Sequence, residues 1–292
     1  MNSLLNSLYK DFQTGTILNK LIYTNIGLFF LFSILEVLSY LFLFDIKPII
    51  NKFYLPANNN TLINQPWTFI TYMFLHSSFL HLLFNMLWLN FGGKIFLGYL
   101  QPKQLLAVYI LGGISGGLLF ILAFNYIPAL KFLTLDARAV GASASVLAIM
   151  IAIATYSPNY NVQVPLIGTL SLKKIAIGCI ALDIISIPNG NAGGHIAHLG
   201  GACFGYFYVK QLQKGKDYSK VVSYIIDRLI NTFRAKNAFK TVHKKPKSDY
   251  EFNSHKIAKQ KEIDKILERI AKSGYESLSK EEKATLFSAS KK

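Results

Sequence analysis

Residues 140–157 read VGASASVLAIMIAIATYS, an uncharged run that opens with small residues and continues as a nearly unbroken apolar segment. A helix of this length almost crosses a bilayer, whose hydrocarbon core is about 30 Å thick and takes about 20 residues. Outward from it, the chain has five further apolar runs, and 52% of its 292 residues are hydrophobic. The mean hydropathy of +0.33 lies above that of an ordinary soluble domain. The sequence therefore predicts an all-α, polytopic membrane protein, with six spans near residues 21–45, 77–100, 104–127, 140–157, 167–187 and 196–212.

Two of the predicted spans, the fourth and the sixth, fall short of the usual length of about 20 residues. We expect their ends to be recessed or to face a wet space lined by protein, because an exposed backbone end in lipid would lack hydrogen-bond partners. The first span stays as a helix, since the residues before it lack the pattern of a cleavable signal peptide. The predicted parts are an N-terminal segment (1–20), a six-helix core (21–212), a basic linker with an amphipathic helix (213–255) and a short helical appendage (256–292).

The positive charge of the chain is concentrated in its C-terminal part. The formal net charge is +16, and Lys and Arg are dense from Lys210 onward. Six spans put both termini on one side, and excess Lys and Arg mark the cytoplasmic side of an inner cell membrane. We expect this part to contact anionic lipid headgroups rather than nucleic acid, because no nucleic-acid recognition module accompanies the basic residues. The sequence does not identify a protein partner for the tail.

A serine and a histidine in two different spans suggest chemistry inside the membrane. Polar groups are costly there, so each one indicates a role. Ser143 opens the fourth span, and His198 lies near the start of the sixth. Gly201 and Gly205 form a small-residue stripe that allows the sixth span to approach the fourth closely. Ser143 and His198 would then form a nucleophile with its general base.

The second span carries a further polar pair. His81 and Asn85 are four residues apart, so they share one helix face. Two donors on one face are able to hold a developing oxyanion. The alternative is that both bond to neighbouring helices.

The sequence ties no carboxylate to His198. Asp136 lies in a loop and Asp183 lies deep in the fifth span. Neither has a sequence spacing that links it to His198. We therefore expect a Ser-His dyad, with the imidazole oriented by other contacts and Asp183 acting as a structural contact between helices.

Four histidines raise the alternative of a metal site. His195-x-x-His198 places two imidazoles on one helix face, and His76 and His81 lie in another region. No His-Glu-x-x-His motif or zinc-protease carboxylate spacing accompanies them. We expect neither a metal nor another cofactor.

These residues resemble the rhomboid family of intramembrane serine proteases over about residues 65–210. The nucleophile motif matches Gly141-Ala142-Ser143-Ala144, and the His-x-x-x-Asn pair matches His81 and Asn85. The catalytic Ala-His with paired glycines matches Ala197-His198-Leu199-Gly200-Gly201. The tail is similar to an appendage found after rhomboid cores in Bacteroidetes-type bacteria.

The resemblance implies a six-helix core in which Ser143 tops a short fourth helix in a water-filled cavity. His81, Asn85 and the backbone N–H of Ser143 would form the oxyanion hole, and His76 matches an additional family histidine. Trp67 matches the aromatic of a Trp-Arg pair in the loop of about residues 47–75.

Three positions depart from the family pattern. Ala144 replaces the second glycine of the nucleophile motif, and Leu147 replaces a tyrosine common in bacterial members. Thr68 replaces the arginine of the Trp-Arg pair, so we expect a contact that braces the loop to be lost.

Three function classes remain in view. The first is an intramembrane serine endopeptidase that cleaves transmembrane protein substrates near the outer membrane surface. The second is a catalytically inactive rhomboid-like protein that binds membrane proteins or acts as a chaperone. The third, a small-solute transporter, is disfavoured because the two halves of the chain show no repeat.

Overall fold

The computed structural model describes residue 6 and residues 12–164, 168–233 and 249–290. Each of the four predicted segments has residues outside the described part of the chain, namely 1–5, 7–11, 165–167, 234–248 and 291–292. By contacts the chain divides into two units, with the division along the sequence after residue 233. The first unit contains α1 (Ile17–Leu41), α2 (Phe79–Tyr99), α3 (Pro102–Tyr126), α4 (Ser143–Tyr156), α5 (Leu172–Ser186), α6 (Ala192–Gln213) and α7 (Ser219–Phe233).

Three helices, α1, α2 and α3, are each long and apolar enough to cross a membrane. The helix α4 has 14 residues, about 21 Å at 1.5 Å per residue, and every side chain from Ala144 to Ala154 is buried. The fourth span is therefore short, as the sequence indicates, and it lies at the centre of the helical core. This arrangement is an all-α membrane fold.

Small residues bring α3 and α6 close to this central helix. A side chain at Gly201 would meet the backbone carbonyl of Ala144, and one at Gly205 would meet that of Ala148. A side chain at Gly116 of α3 would meet both Ala144 and the carbonyl of Ala197. The close approach predicted from the stripe Gly201-x-x-x-Gly205 is confirmed. It fixes the register between the helix that carries Ser143 and the one that carries His198.

Three predicted spans have wrong boundaries, the first of which is the helix that runs from Ile17 to Leu41 rather than from about residue 21 to residue 45. The sixth helix has 22 residues and begins at Ala192 rather than near residue 196. Asn191 adopts a left-handed conformation (φ 42°), and its side chain accepts a hydrogen bond from Gly194 N, which caps the added turn. The fifth helix begins at Leu172 because the residues before it form a hairpin of β3 (Asn161–Val164) with β4 (Gly168–Ser171).

The segment between α1 and α2 is tied by its backbone to the chain that leads into α4. The strand β1 (Leu55–Pro56) pairs with β2 (Arg138–Ala139) in antiparallel register, and Ala57 N donates to Ala137 O at 3.0 Å. Short helical turns complete these connections at Lys47–Ile50, Asn59–Asn64, Thr68–Thr71, Tyr72–Phe74, Pro128–Lys131 and Ile187–Asn189.

A polar network fixes the amphipathic helix α7 to the core. Asp217 accepts hydrogen bonds from Gln104 Nε2 (2.9 Å), Tyr208 OH (3.0 Å) and Ser219 N (2.9 Å). Burial raises the pKa of the Asp217 carboxyl, but these hydrogen bonds outweigh it and hold the pKa below its usual range. The predicted amphipathic helix thus begins at a defined anchor.

The second unit contains α8 (Asp249–Ser273), a 3-10 turn (Tyr275–Ser277) and α9 (Lys280–Ser290). Gly274 follows α8 with φ 76°, as expected of a glycine that ends a helix. Ser279 N donates to Glu282 Oε2 at 2.9 Å, and Glu282 N donates to Ser279 Oγ at 3.2 Å. The predicted capping box is confirmed.

Candidate active site

The chain enters α4 through one constrained glycine. Gly141 has φ +130°, a conformation that L side chains rarely adopt, and its N–H donates to Tyr72 O at 2.9 Å. A Cβ at this position would lie 2.8 Å from His81 Nε2 and 3.7 Å from Ser143 Oγ. The His81 ring therefore lies directly against the turn that presents Ser143.

Ser143 is the first residue of α4, preceded by Ala142, which gives no side-chain cap. The N–H groups of a first helical turn lack intrahelical partners, and the positive end of the helix dipole lies there. An oxyanion near Ser143 would meet these groups.

On α6, the His198 ring is held from one side by a carboxylate. Its Nδ1 donates to Asp183 Oδ1 at 2.8 Å, and His195 Nδ1 reaches the same oxygen, also at 2.8 Å. The expectation that no carboxylate is tied to His198 is therefore wrong. Since α5 and α6 form an antiparallel hairpin, a residue near the end of α5 lies beside one near the start of α6.

Ser143 and His198 face one cavity of about 1070 Å³. Its wall also includes His81, Asn85 and Asp183, and apolar side chains of α2 and α5 extend it. The His198 Nδ1 bond to Asp183 leaves Nε2 as the ring nitrogen available to a partner in this cavity. The structure thus brings together the serine, the two histidines and the asparagine that the sequence singles out.

The predicted oxyanion pair has partners of its own. His81 Nδ1 lies 3.2 Å from Ser77 Oγ, and the Asn85 amide donates to the His81 carbonyl at 2.8 Å. Asn85 is buried, and both residues border the cavity. Both bonds are local to α2 and the turn before it, so the described residues show no bond from either side chain to a neighbouring helix, and the role as oxyanion donors stays a prediction.

His76 is buried beside this pair. Its ring packs edge-on against that of His81, with centroids 5.1 Å apart. Neither ring nitrogen has a hydrogen-bond partner within the described part of the chain. It lies next to the cavity wall, behind His81.

Ser145, the other serine nearby, faces away from the cavity. It is fully buried, and its Oγ lies 3.8 Å from Met73 Sδ. Ser143 is therefore the serine of this pair that shares a cavity with His198.

The three departures from the family pattern have structural counterparts. The methyl group of Ala144 faces Gly116 of α3, which leaves room for it. Leu147 lines the cavity. Thr68 is buried and bonds to Gln65 O at 2.7 Å.

The loop is braced without an arginine at position 68. Trp67 Nε1 donates to Lys52 O at 2.7 Å, Thr71 Oγ1 to Phe53 O at 2.8 Å, and Arg138 Nη1 to Asn51 O at 3.2 Å. The bracing contact that an arginine at position 68 would supply is thus replaced by these three hydrogen bonds.

Sequence reasoning missed Asp183 and His195 as members of this site. The signal was present in His195-x-x-His198, which sets two imidazoles on one face of α6. This signal became informative only with the α5–α6 hairpin. The connection between the two helices decides whether Asp183 comes close to either histidine in space, and the sequence does not show how that connection folds.

Comparisons with known proteins agree with this architecture. A family model described as "Rhomboid domain" matches residues 63–214, and one described as a family of unknown function matches residues 247–292. The chain is 31% identical to the zebrafish "Presenilin-associated rhomboid-like protein A, mitochondrial" over 144 residues, 47% of this chain and 35% of the relative. It is 28% identical to the Arabidopsis thaliana "RHOMBOID-like protein 12, mitochondrial" over 158 residues, 51% of this chain and 47% of the relative. The chain thus spans less than half the length of either relative. Because the rhomboid model covers more than half of its residues, the chain belongs to the rhomboid family of membrane proteins.

Proposed function

We propose that the protein is an intramembrane serine endopeptidase that hydrolyses transmembrane protein substrates. The observation that carries this proposal is the shared cavity of Ser143 and His198, with Asp183 bonded to the far nitrogen of the His198 ring. Nucleophile, base and orienting group are the three parts that acyl transfer by a serine requires.

In this mechanism His198 Nε2 takes the proton from Ser143 Oγ as the oxygen attacks the scissile carbonyl. The oxyanion that forms is stabilised by the N–H of Ser143 and by donors from His81 and Asn85. His198 then gives its proton to the leaving amine, and a water molecule releases the acyl group from Ser143 by the reverse route.

Asp183 extends the dyad expected from the sequence. By accepting a hydrogen bond from Nδ1–H, Asp183 keeps the proton of the neutral ring off Nε2 and stabilises the positive charge of the imidazolium. His195 donates to the same oxygen, which makes it a positioning residue for Asp183.

The substrate reaches the cavity between α2 and α5. Phe84 and Trp88 of α2 and Leu182 of α5 line the cavity, and all three side chains are exposed. Apolar side chains suit a transmembrane substrate, which must unwind locally because helical carbonyls are engaged in hydrogen bonds. The inner cell membrane with both termini in the cytoplasm is the location that the basic tail favours.

A serine-directed probe tests the proposal. A fluorophosphonate should label the detergent-solubilised wild type and Ser145→Ala, while Ser143→Ala should remain unlabelled and fail to cleave a generic transmembrane substrate. Ser145 is a matched control because it lies two residues away and faces α3. Labelling that persists in Ser143→Ala would refute this nucleophile.

The second candidate function, an inactive member that binds membrane proteins, is favoured by one fact: the zebrafish and Arabidopsis relatives are both named rhomboid-like. A wild type that stays unlabelled and cleaves nothing, yet retains transmembrane proteins in a pull-down, would support it.

A further inference from the structure

The geometry points to a metal site that also controls the proposed base: we propose that Asp183, His195 and His198 bind a divalent transition-metal ion of the Zn²⁺ class. Asp183 Oδ1 lies 2.8 Å from Nδ1 of both histidines, and the three ligand atoms all lie within 4.8 Å of one another. No other part of the described chain gathers three such groups.

The donor set suits this class of ion. Two imidazole nitrogens and one carboxylate oxygen bind zinc in sites that keep a fourth position open for water. Imidazole also favours zinc over magnesium or calcium, which prefer oxygen ligands. With one negative charge among its ligands, the site would carry a net charge of about +1 when it holds the ion.

Ion binding requires a modest rearrangement of the three ligand atoms. Ligand atoms about 2.0–2.1 Å from a tetrahedral zinc ion lie about 3.3 Å from one another. Each oxygen–nitrogen distance would therefore open by roughly 0.5 Å, and the two nitrogens, which lie within 4.8 Å of each other, would settle at the same spacing. The two rings are nearly perpendicular (85°) with centroids 5.9 Å apart, and both Nδ1 atoms lie against the same oxygen, Asp183 Oδ1. The side chains of Asp183, His195 and His198 are 12%, 24% and 23% exposed, which leaves an ion a path from the cavity.

Occupancy would inactivate His198 through its tautomer. A neutral imidazole carries one proton, and because an ionised carboxylate only accepts hydrogen bonds, the bond to Asp183 assigns that proton to Nδ1. An ion bound at Nδ1 takes that position, so the proton moves through water to Nε2. His198 then has no free nitrogen to accept the Ser143 proton, and the ion acts as an inhibitor. This second half of the inference rests on the proposed function.

Metal binding is tested first, in a variant that lacks the proposed nucleophile, so that the result does not depend on catalytic activity. Full-length Ser143→Ala protein is titrated with Co²⁺, a spectroscopic substitute for Zn²⁺, and visible absorption is recorded. We expect one Co²⁺ per chain, displaced by Zn²⁺. His195→Gln and Asp183→Asn should each weaken binding at least as much as the roughly 10- to 100-fold seen when a ligand loses its hydrogen-bond partner.

Matched controls separate this site from other ligands. The double variant Cys179→Ser/Cys203→Ser removes both cysteines of the chain, and His243→Gln/His255→Gln removes the histidines of its C-terminal part. Both should bind Co²⁺ like the parent. Absent binding in the parent, or undiminished binding in His195→Gln and Asp183→Asn with unchanged thermal unfolding, would overturn the site.

Inhibition is tested by the rate at which a fluorophosphonate labels Ser143. Zn²⁺ should slow labelling of the wild type, while His195→Gln, compared with its own zinc-free rate, should be insensitive. Labelling unaffected by Zn²⁺ in a protein that binds Co²⁺ would overturn the blocking role. A wild type that is never labelled would refute the proposed function, and the Co²⁺ titration would still decide the metal site.

Discussion

At the scale of single residues, Gly141 sets the distance between His81 and Ser143. Its positive φ and the closeness of the His81 ring both exclude a side chain. The backbone turn that presents Ser143 therefore depends on the absence of one carbon atom.

Gly141→Ala should destabilise the fold and abolish labelling of Ser143, because the new methyl group would displace His81 and strain the backbone by roughly 1–3 kcal/mol. Thermal unfolding in detergent and fluorophosphonate labelling measure the two effects. Gly98→Ala is the control, since Gly98 lies in α2 with nothing within 4 Å of its Cβ position. A Gly141→Ala protein with wild-type stability and labelling would contradict this account.

Asp183→Asn should lower turnover by up to about 10⁴-fold with little change in KM, as loss of the orienting carboxylate does in the serine-protease triad. The amide of this variant has the same shape as the carboxylate. Its NH2 group is able to donate to His198 Nδ1, which would leave the ring proton on Nε2, where it blocks acceptance of the Ser143 proton. Initial-rate kinetics on a transmembrane substrate measure this loss. The control is Asp136→Asn, at the exposed loop carboxylate; equal losses in both variants would remove Asp183 from the mechanism.

The residues that the sequence identifies are those whose motifs are local. Ser143, His81 and Asn85 stand in short patterns within one helix or turn, and His198 precedes a glycine stripe. Asp183 was not predictable, because its contact with His198 depends on how five residues between two helices turn the chain. Spacing within a helix is fixed by its 3.6-residue period, whereas spacing across a connection is not.

At the scale of elements, hydropathy predicts all six core helices in order, because a bilayer demands long apolar runs. Their ends are less predictable, since a cap such as Asn191 or a short hairpin such as β3–β4 decides them locally. The packing of α6 onto α4 was predictable from glycine spacing alone.

The attachment of α7 to the core depends on the charge of Asp217. Asp217→Asn should lower the free energy of unfolding by about 1 kcal/mol at pH 7, because the amide nitrogen cannot accept the hydrogen bond from Gln104. Since the folded-state pKa of Asp217 is lowered, the carboxylate stabilises the fold above its unfolded pKa of about 3.9. This contribution is lost as the pH falls through the lower, folded-state value.

Thermal unfolding in detergent across this pH range measures the difference between the variant and the wild type. The difference should shrink to zero at acid pH. Asp227→Asn, at an exposed carboxylate of α7, should match the wild type at every pH; a pH-independent loss in Asp217→Asn would contradict the role of charge.

At the scale of the whole molecule, the proposed catalytic groups all lie in the first unit. Removal of residues 234–292 should therefore leave labelling of Ser143 and cleavage of a generic substrate within about twofold of the full chain. A cut after residue 215 should instead lower stability, because it removes Asp217 and α7 as well. Loss of activity in a well-folded 1–233 protein would assign the second unit a part in the reaction.

The pairing of β1 with β2 links the segment before α2 to the nucleophile. Because that ladder joins backbone groups, and Leu55 and Ala57 are fully buried in the core, a shift of β1 would be passed directly to β2. An antibody fragment that bound the exposed Asn59 and Asn60 and shifted β1 would pull on Arg138 and Ala139, a few positions before Ser143. A molecule far too large to enter the cavity would thus be able to change the position of Ser143 without contacting it.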